Sequence, residues 1–316
     1  MRKKLNLDKN PWVNLTKSAV VAIVLTTLSL AQQTGQKTFP SAEAASTALV
    51  TAAENNDAKA MLEILGRDSK KIVSSGNDAE DAEDRANFAQ RYREMHRLVK
   101  EPDGTTVLYI GAHNWPTPIP LIGNGNSWYF DTDAGTKEIM YRRIGRNEVS
   151  AIHVCQELVT AEKEYFQQHG EYAQKISSDQ GQHNGLYWKA AVGEPDSPIG
   201  PLVAEAVADS PSGSSTPYRG YYFHILTRQG HNATGGPKSY LADSKMTAGF
   251  AFVAYPAEYR SSGVKTFIVG ENGAVFEKDL GKKTDAVAKN MTEYNPGSGW
   301  DKAEAQPDQM AASPIK

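Results

Sequence analysis

Three arginines, Arg142, Arg143 and Arg146, stand immediately before Asn147, the residue at which an apolar helical periodicity opens. Guanidinium groups are flat, forked donors that match carboxylate and phosphate oxygens. The free N–H groups of a helix N-terminus share that preference for an anion. The plainer alternative is that these cations pair with Asp131, Asp133, Glu138 or Glu148 and tie two units of the chain together; charged runs at a junction more often serve packing. A second set joins rings to a cation: Tyr187, Trp188, Tyr218, Tyr221 and Tyr222, with Arg219 among them. Exposed rings of this kind stack on a sugar or a peptide, but strand alternation turns about half of such a set inward.

The other reactive residue types do not fall into motifs. The histidines, His96, His113, His153, His169, His183, His224 and His231, show neither His-Glu-x-x-His nor another compact ligand spacing, so a metal would need two or three of them to converge from separate elements. No Gly-x-Ser-x-Gly elbow occurs. Gly123-Asn124-Gly125 sits between two strand patterns with no helix after it and reads as a turn. Cys155, the sole cysteine, falls on the apolar face of a helix and reads as a buried, inert thiol. No metal, cofactor or catalytic residue is expected from these patterns, and they name no reaction.

The elements that must position these residues begin after a leader. Arg2, Lys3, Lys4, Lys9 and Lys17 precede a short apolar run, Ser18 to Leu30, and Ser29-Leu30-Ala31 forms a small-x-small cleavage pattern before Gln32. Residues 1–31 are therefore expected to be a signal peptide, since a membrane-spanning helix needs about 20 mainly apolar residues; the alternative is an uncleaved N-terminal anchor. The expected location is periplasmic or secreted, with membrane attachment only if the leader is retained. Removing residues 1–31 leaves 29 basic against 36 acidic side chains and a net charge of −7. A nucleic-acid partner would call for a basic stripe and a high pI, and neither is present.

The mature chain divides near residue 146, giving a 41–146 unit, a 147–300 unit and a polar 301–316 tail expected to be disordered. In the first unit, Ser41 and Asp57 are expected to cap helices, Gly66 to stop the second, and an acidic start at Asp78 to open a third whose buried stripe is Phe88, Tyr92, Met95 and Leu98. Strands are expected at 105–110, 119–122 and 127–130, with Trp115-Pro116-Thr117-Pro118 as a rigid aromatic corner. The second unit opens with a helix capped by Asn147 and stopped by Gly170, with Val149, Ile152, Cys155, Leu158, Val159, Tyr165 and Phe166 at helical spacing. Strands follow at 219–226, 247–255, 263–269 and 274–278, the last two joined across Glu271-Asn272-Gly273. The fold class is α+β: N-terminal helices on a small antiparallel sheet, then a long helix packed on a second antiparallel sheet.

The runs WPTPIPLI (115–122), FDTDAGTKEIMYRRIGRNEVSAI (130–152), DQGQHNGLYW (179–188), GYYFHIL (220–226) and the stretch from Met246 to Gly281 resemble a family of bacterial exported proteins, domain of unknown function 2950. The likeness covers about residues 40 to 300 and implies no activity. That pattern commonly has Asp where this chain has Asn184. The helix ending TAEKEYFQQHGEYA (160–173) and the strands after it are also similar to the globular head of type IV pilins and type II secretion pseudopilins. The apolar assembly helix of those proteins is missing, its place taken by Arg142-Arg143-Ile144-Gly145-Arg146, so that likeness implies fold alone.

The reading that follows is an exported, non-enzymatic binding or interaction module with a macromolecular partner in the cell envelope. The alternative is a periplasmic enzyme or small-anion binder with a site at the junction of the two units. The candidate ligand-binding residues are Arg142, Arg143, Arg146, Tyr187, Trp188 and Arg219.

Overall fold

The structure, a computed structural model, describes residues 32–303 apart from 75, 191–192, 194–195, 201–203 and 205–215. The expected leader and the tail beyond residue 303 lie outside the described residues. Helix α1 (Ala42–Glu54) is capped by Ser41, whose hydroxyl accepts the Ala44 N–H at 3.1 Å. Asp57 does the same for α2 (Ala58–Leu65) through the Ala60 N–H, and Gly66, at φ +90°, stops it. Short α3 (Lys70–Val73) leads to α4 (Asp78–Glu94).

The third helix ends sooner than its periodicity predicts. The Gly111 N–H reaches the carbonyls of Arg91 and Met95, capping α4 from a distant segment, and His96–Lys100 becomes strand β1, with Leu98 opposite Leu108. Strands β2 (Thr106–Ile110), β3 (Trp115–Pro116), β4 (Leu121–Asn124) and β5 (Ser127–Phe130) complete an antiparallel sheet of order β1-β2-β4-β5, with β3 on β2. Leu49, Leu65, Leu121 and Phe130 join the helices to this sheet in one core cluster, and Tyr92, Leu108 and Ile110 form another.

Helix α5 spans Thr132–His169, 38 residues, or about 57 Å at the usual rise. Its N-cap is Asp131, which accepts the Ala134 N–H at 3.0 Å, and not Asn147. The division drawn between residues 146 and 147 therefore falls inside one continuous helix. The first half approaches the first sheet closely: a Cβ on Gly135 would stand 2.6 Å from Ile119 Cγ1 and 3.0 Å from its Cα, so only glycine fits there. In the second half Val149, Ile152, Cys155, Leu158, Val159 and Tyr165 are buried, while Phe166 is exposed. Gly170, left-handed at φ +69°, closes the helix as expected.

The second part of the chain gives β6 (Tyr221–Leu226), β7 (Arg228–Gln229), β8 (Lys238–Ser239), β9 (Leu241–Ala242), β10 (Lys245–Met246), β11 (Ala251–Pro256), β12 (Lys265–Gly270), β13 (Val275–Asp279), β14 (Glu293–Tyr294) and β15 (Asp301–Lys302). The main sheet is antiparallel, in the order β15-β13-β12-β11-β6. Every residue of β11 is buried, because α5 and the short helix Thr284–Lys289 both pack on it. In the β12–β13 hairpin only Gly273 takes a positive φ, +75°, and its N–H closes on Gly270 O; Asn272 keeps a negative φ, so the turn is not the two-residue primed type. Strand β15 runs into the stretch expected to be disordered: Asp301 and Lys302 pair with Glu277 and Phe276, and the Ala303 N–H binds Val275 O. Helices and mainly antiparallel sheets make the fold α+β.

Candidate functional site

A half-open cavity of about 250 Å³ lies between the N-terminal helices and the first half of α5. Leu49, Met61, Leu65, Ile72 and Phe88 line it from the helices, Trp115, Pro118, Ile119 and Phe130 from the sheet, and Ile139 from α5. Its charged residues are Lys71, Arg85, Arg142 and Arg146 against Asp81 and Asp84, an excess of positive charge. A dry cavity of about 150 Å³ accommodates benzene, so this one has room for about ten non-hydrogen atoms. Among the described residues, no histidine, cysteine or serine lines it.

Arg142 and Arg146, one helical turn apart with Ile139 on the same face, reach this cavity from α5. They do so from mid-helix. The N–H groups beside them belong to the interior of α5, so the helix-terminus contribution expected at Asn147 is absent. Arg142 is well fixed: Nε binds Glu138 Oε1 at 2.7 Å, Nη1 binds Pro116 O at 2.8 Å, and the guanidinium lies 5.0 Å from the Trp115 ring centroid. Of the other expected carboxylate partners, Asp131 caps α5, Asp133 accepts from Gln33, and Glu148 accepts the Val264 and Lys265 N–H groups at 2.8 and 3.0 Å. Burial, and then the like charges of Arg142, Arg143 and Arg219, press the Arg146 pKa down. The like charges, the smaller part of that effect, add positive potential at its guanidinium.

Arg143 points away from the cavity face, with Nη2 3.4 Å from Ser261 Oγ. Arg219 arrives from another element. Tyr218 and Tyr221 exchange N–H···O bonds across Arg219 (φ +45°) and Gly220 (φ +75°), a tight turn with both central residues left-handed. A Cβ on Gly220 would lie 2.7 Å from Ser262 Cβ and 2.9 Å from Asn147 Nδ2, so this turn packs directly against α5. The structure thus gathers Arg142, Arg143, Arg146 and Arg219 into one electrostatic group.

The aromatic set is not part of it. Trp188 is 6 % exposed, Tyr221 is fully buried, and Tyr187, Tyr218 and Tyr222 pack against the same core, so no exposed ring platform forms there. Tyr187 and Trp188 lie beside the far end of α5. Trp188 stacks on His183 at 4.5 Å, and the His183 carbonyl accepts the Tyr165 hydroxyl. At the helical rise, residue 165 stands about 28 Å along α5 from Arg146. Asn184 belongs to this loop's framework: its amide oxygen accepts the Asp179 N–H and its nitrogen donates to Asp179 Oδ2 at 2.8 Å. Aspartate at 184 could not make the second bond.

Outside the cavity, Cys155 is fully buried, and burial pushes its thiol up to about 12, the inert state read from its helical position. His96 shares a bond with Tyr92 O and His224 one with Met291 O. Among the described residues no group of three or more His, Cys, Asp or Glu is placed to hold a metal, and no helix is long and apolar enough to cross a membrane.

Arg85, Lys71, Asp81, Asp84 and Thr117 were not foreseen as site residues. Asp81 and Asp84 read as helix-start charges and Thr117 as part of a rigid corner; only the aromatic Trp115 beside a Pro-rich run signals a built wall. No curated protein and no solved structure matches the chain. A sequence model does match, over residues 36–303, and on that extent the chain belongs to the family described as "Protein of unknown function (DUF2950)".

Proposed function

We propose that this protein is a non-enzymatic binding module whose ligand is a small anion with an apolar body, held in the cavity between the N-terminal helices and α5. The observation that carries the reading is the meeting of two properties in one place: apolar walls sized for about ten heavy atoms, and Arg142 with Arg146 at the same surface, with Arg143 and Arg219 adding to the positive potential. Apolar burial supplies affinity and a guanidinium supplies orientation. Among the described residues the lining carries no nucleophile–base pair of the histidine, cysteine or serine type, which supports binding over catalysis. The large apolar residues that stay exposed among those described, Tyr141, Phe166, Leu241 and Val287, fall on α5, β9 and the short helix Thr284–Lys289. The basic leader and its short apolar run support export, so the ligand is met outside the cytoplasm.

Thermal melts at constant ionic strength test this, with benzoate and octanoate as probes and chloride as the control anion. At a hundredfold excess over Kd a ligand stabilises by about 2.7 kcal/mol, which raises the melting temperature by several degrees. The wild type responds to at least one probe and Arg146→Ala does not. A wild type indifferent to both carboxylates defeats the reading.

A further inference from the structure

We propose that Asn124 is a site of spontaneous covalent modification, an amide that the chain's own backbone and water convert to aspartate and isoaspartate with loss of ammonia. Asn-Gly occurs three times in the chain, at Asn124-Gly125, Asn184-Gly185 and Asn272-Gly273. In this dipeptide the glycine nitrogen can close on the side-chain amide carbon because no Cβ stands in the way. The reaction needs two groups at liberty: the asparagine amide, which is attacked, and the glycine N–H, which attacks. At two of the three sites the fold occupies both. Asn272 Oδ1 accepts the Ala274 N–H at 3.0 Å, and the Gly273 N–H is bonded to Gly270 O at 2.9 Å. Asn184 holds Asp179 through its oxygen and its nitrogen and Gln182 Oε1 through its nitrogen, while the Gly185 N–H donates to Ser178 Oγ at 2.9 Å. Gly185 is also enclosed, since a Cβ there would lie 2.8 Å from the Ser178 nitrogen.

Asn124 differs on each count. It ends β4 at the tip of the β4–β5 hairpin, where it pairs with Ser127 across Gly125 and Asn126. Residues 123–126 are all exposed, and a Cβ on Gly125 would meet nothing within 4 Å, so a ring has room to form and water reaches it. Among the described residues neither the Asn124 side-chain amide nor the Gly125 N–H makes a hydrogen bond. The Gly125 nitrogen bonds to Asn124 Cγ, the Cγ–Nδ2 bond breaks, and Nδ2 leaves as ammonia with the proton that the glycine nitrogen gives up. Water then opens the cyclic imide at either carbonyl. Opening at Cγ yields aspartate; opening at the main-chain carbonyl of residue 124 yields isoaspartate, whose backbone runs through Cβ. Either product places a new negative charge at the hairpin tip, and isoaspartate also lengthens the strand at the pair that closes the turn.

The three Asn-Gly sites serve as one another's controls. Native protein is held near neutral pH for weeks and digested in acid, which halts the reaction, and the three peptides are followed by mass spectrometry with chromatographic separation of aspartate from isoaspartate. Conversion at Asn124 is expected to run at least about tenfold ahead of Asn184 and Asn272, the scale of having to break a hydrogen bond or two before the ring can close, and to yield isoaspartate beside aspartate. In urea, where the fold no longer holds the other two sites, the three rates should converge. Native conversion at Asn184 or Asn272 as fast as at Asn124 overturns the proposal, as does an Asn124 that is unchanged in the native protein. A lead for Asn124 that persists undiminished in urea overturns the structural argument by tracing it to local sequence, and a product of aspartate alone overturns the imide route.

Discussion

Glu162 is expected to make the protein lose stability as the pH rises through neutrality, and Glu162→Gln to remove that loss. The carboxyl is fully buried on α5; Oε2 accepts the Ala173 N–H at 2.8 Å, and Oε1 has no partner. Burial pushes its pKa up to about 8, against a smaller lowering by the Ala173 N–H. Its neighbours Tyr165 and Tyr172 are also raised, chiefly by burial, so they stay neutral across the window concerned. The sign follows from proton counting. The unfolded carboxyl ionises near its ordinary value of 4.5, so above that pH the unfolded chain releases a proton that the folded chain keeps. Stability fully present below pH 4.5 then falls by about 1.4 kcal/mol per pH unit until the folded carboxyl ionises, a loss of about 4 kcal/mol between pH 5 and pH 8. Glutamine keeps an acceptor for Ala173 and has no proton to lose, at a pH-independent cost of about 1–3 kcal/mol for an unpaired amide N–H. Urea unfolding of both proteins from pH 5 to pH 9 isolates the effect, because all other titrations are common to the two. The wild type should be the more stable at pH 5 and lose that advantage by pH 8. A stability difference that stays flat from pH 5 to pH 8 refutes the reasoning.

Leu158, fully buried against the second sheet, should cost about 2–5 kcal/mol as Leu158→Ala; a urea midpoint shift equivalent to less than about 0.5 kcal/mol, the scale of a surface change, would place the helix elsewhere. Gly135→Ala, which in an ordinary helix interior stabilises by about 0.5–1 kcal/mol, should here destabilise by about 1–3 kcal/mol, because its Cβ would meet Ile119 at 2.6 Å; the melting temperature reads the sign. Cys155 should resist iodoacetamide in the native protein and react on denaturation in urea, since the thiol is both buried and un-ionised; fast labelling of the native state would contradict that placement.

Local chemistry made much of the fold legible. Ser41, Asp57, Gly66 and Gly170 end their helices through bonds made within a few residues, and the β-branched and aromatic runs at 106–110, 127–130 and 265–270 became strands with small shifts at their ends. What escaped is imposed from a distance. Met95 and Leu98 stand at helical spacing from Tyr92, yet α4 is ended by an N–H from Gly111 and Leu98 is drawn into a strand by Leu108. The first half of α5 carries Gly135, and the reason for it is contact with Ile119, which no local rule contains. The site divides in the same way. The density of Arg142, Arg143 and Arg146 is visible in the sequence, but the cavity they border is built from residues as distant as Leu49 and Arg146. The aromatic set of Tyr187 and Trp188 had composition in its favour and was claimed by the core.

The central claim, that the cavity holds a small apolar anion against Arg142 and Arg146, is tested most directly by locating such an anion. A crystal structure with 4-iodobenzoate, read by the anomalous signal of iodine, does this without an assay of activity. The account predicts one strong iodine site among Leu49, Phe88 and Ile139, with the carboxylate on the two guanidinium groups, and loss of that site in Arg146→Ala. An empty cavity at saturating probe, or iodine bound only elsewhere, would contradict it.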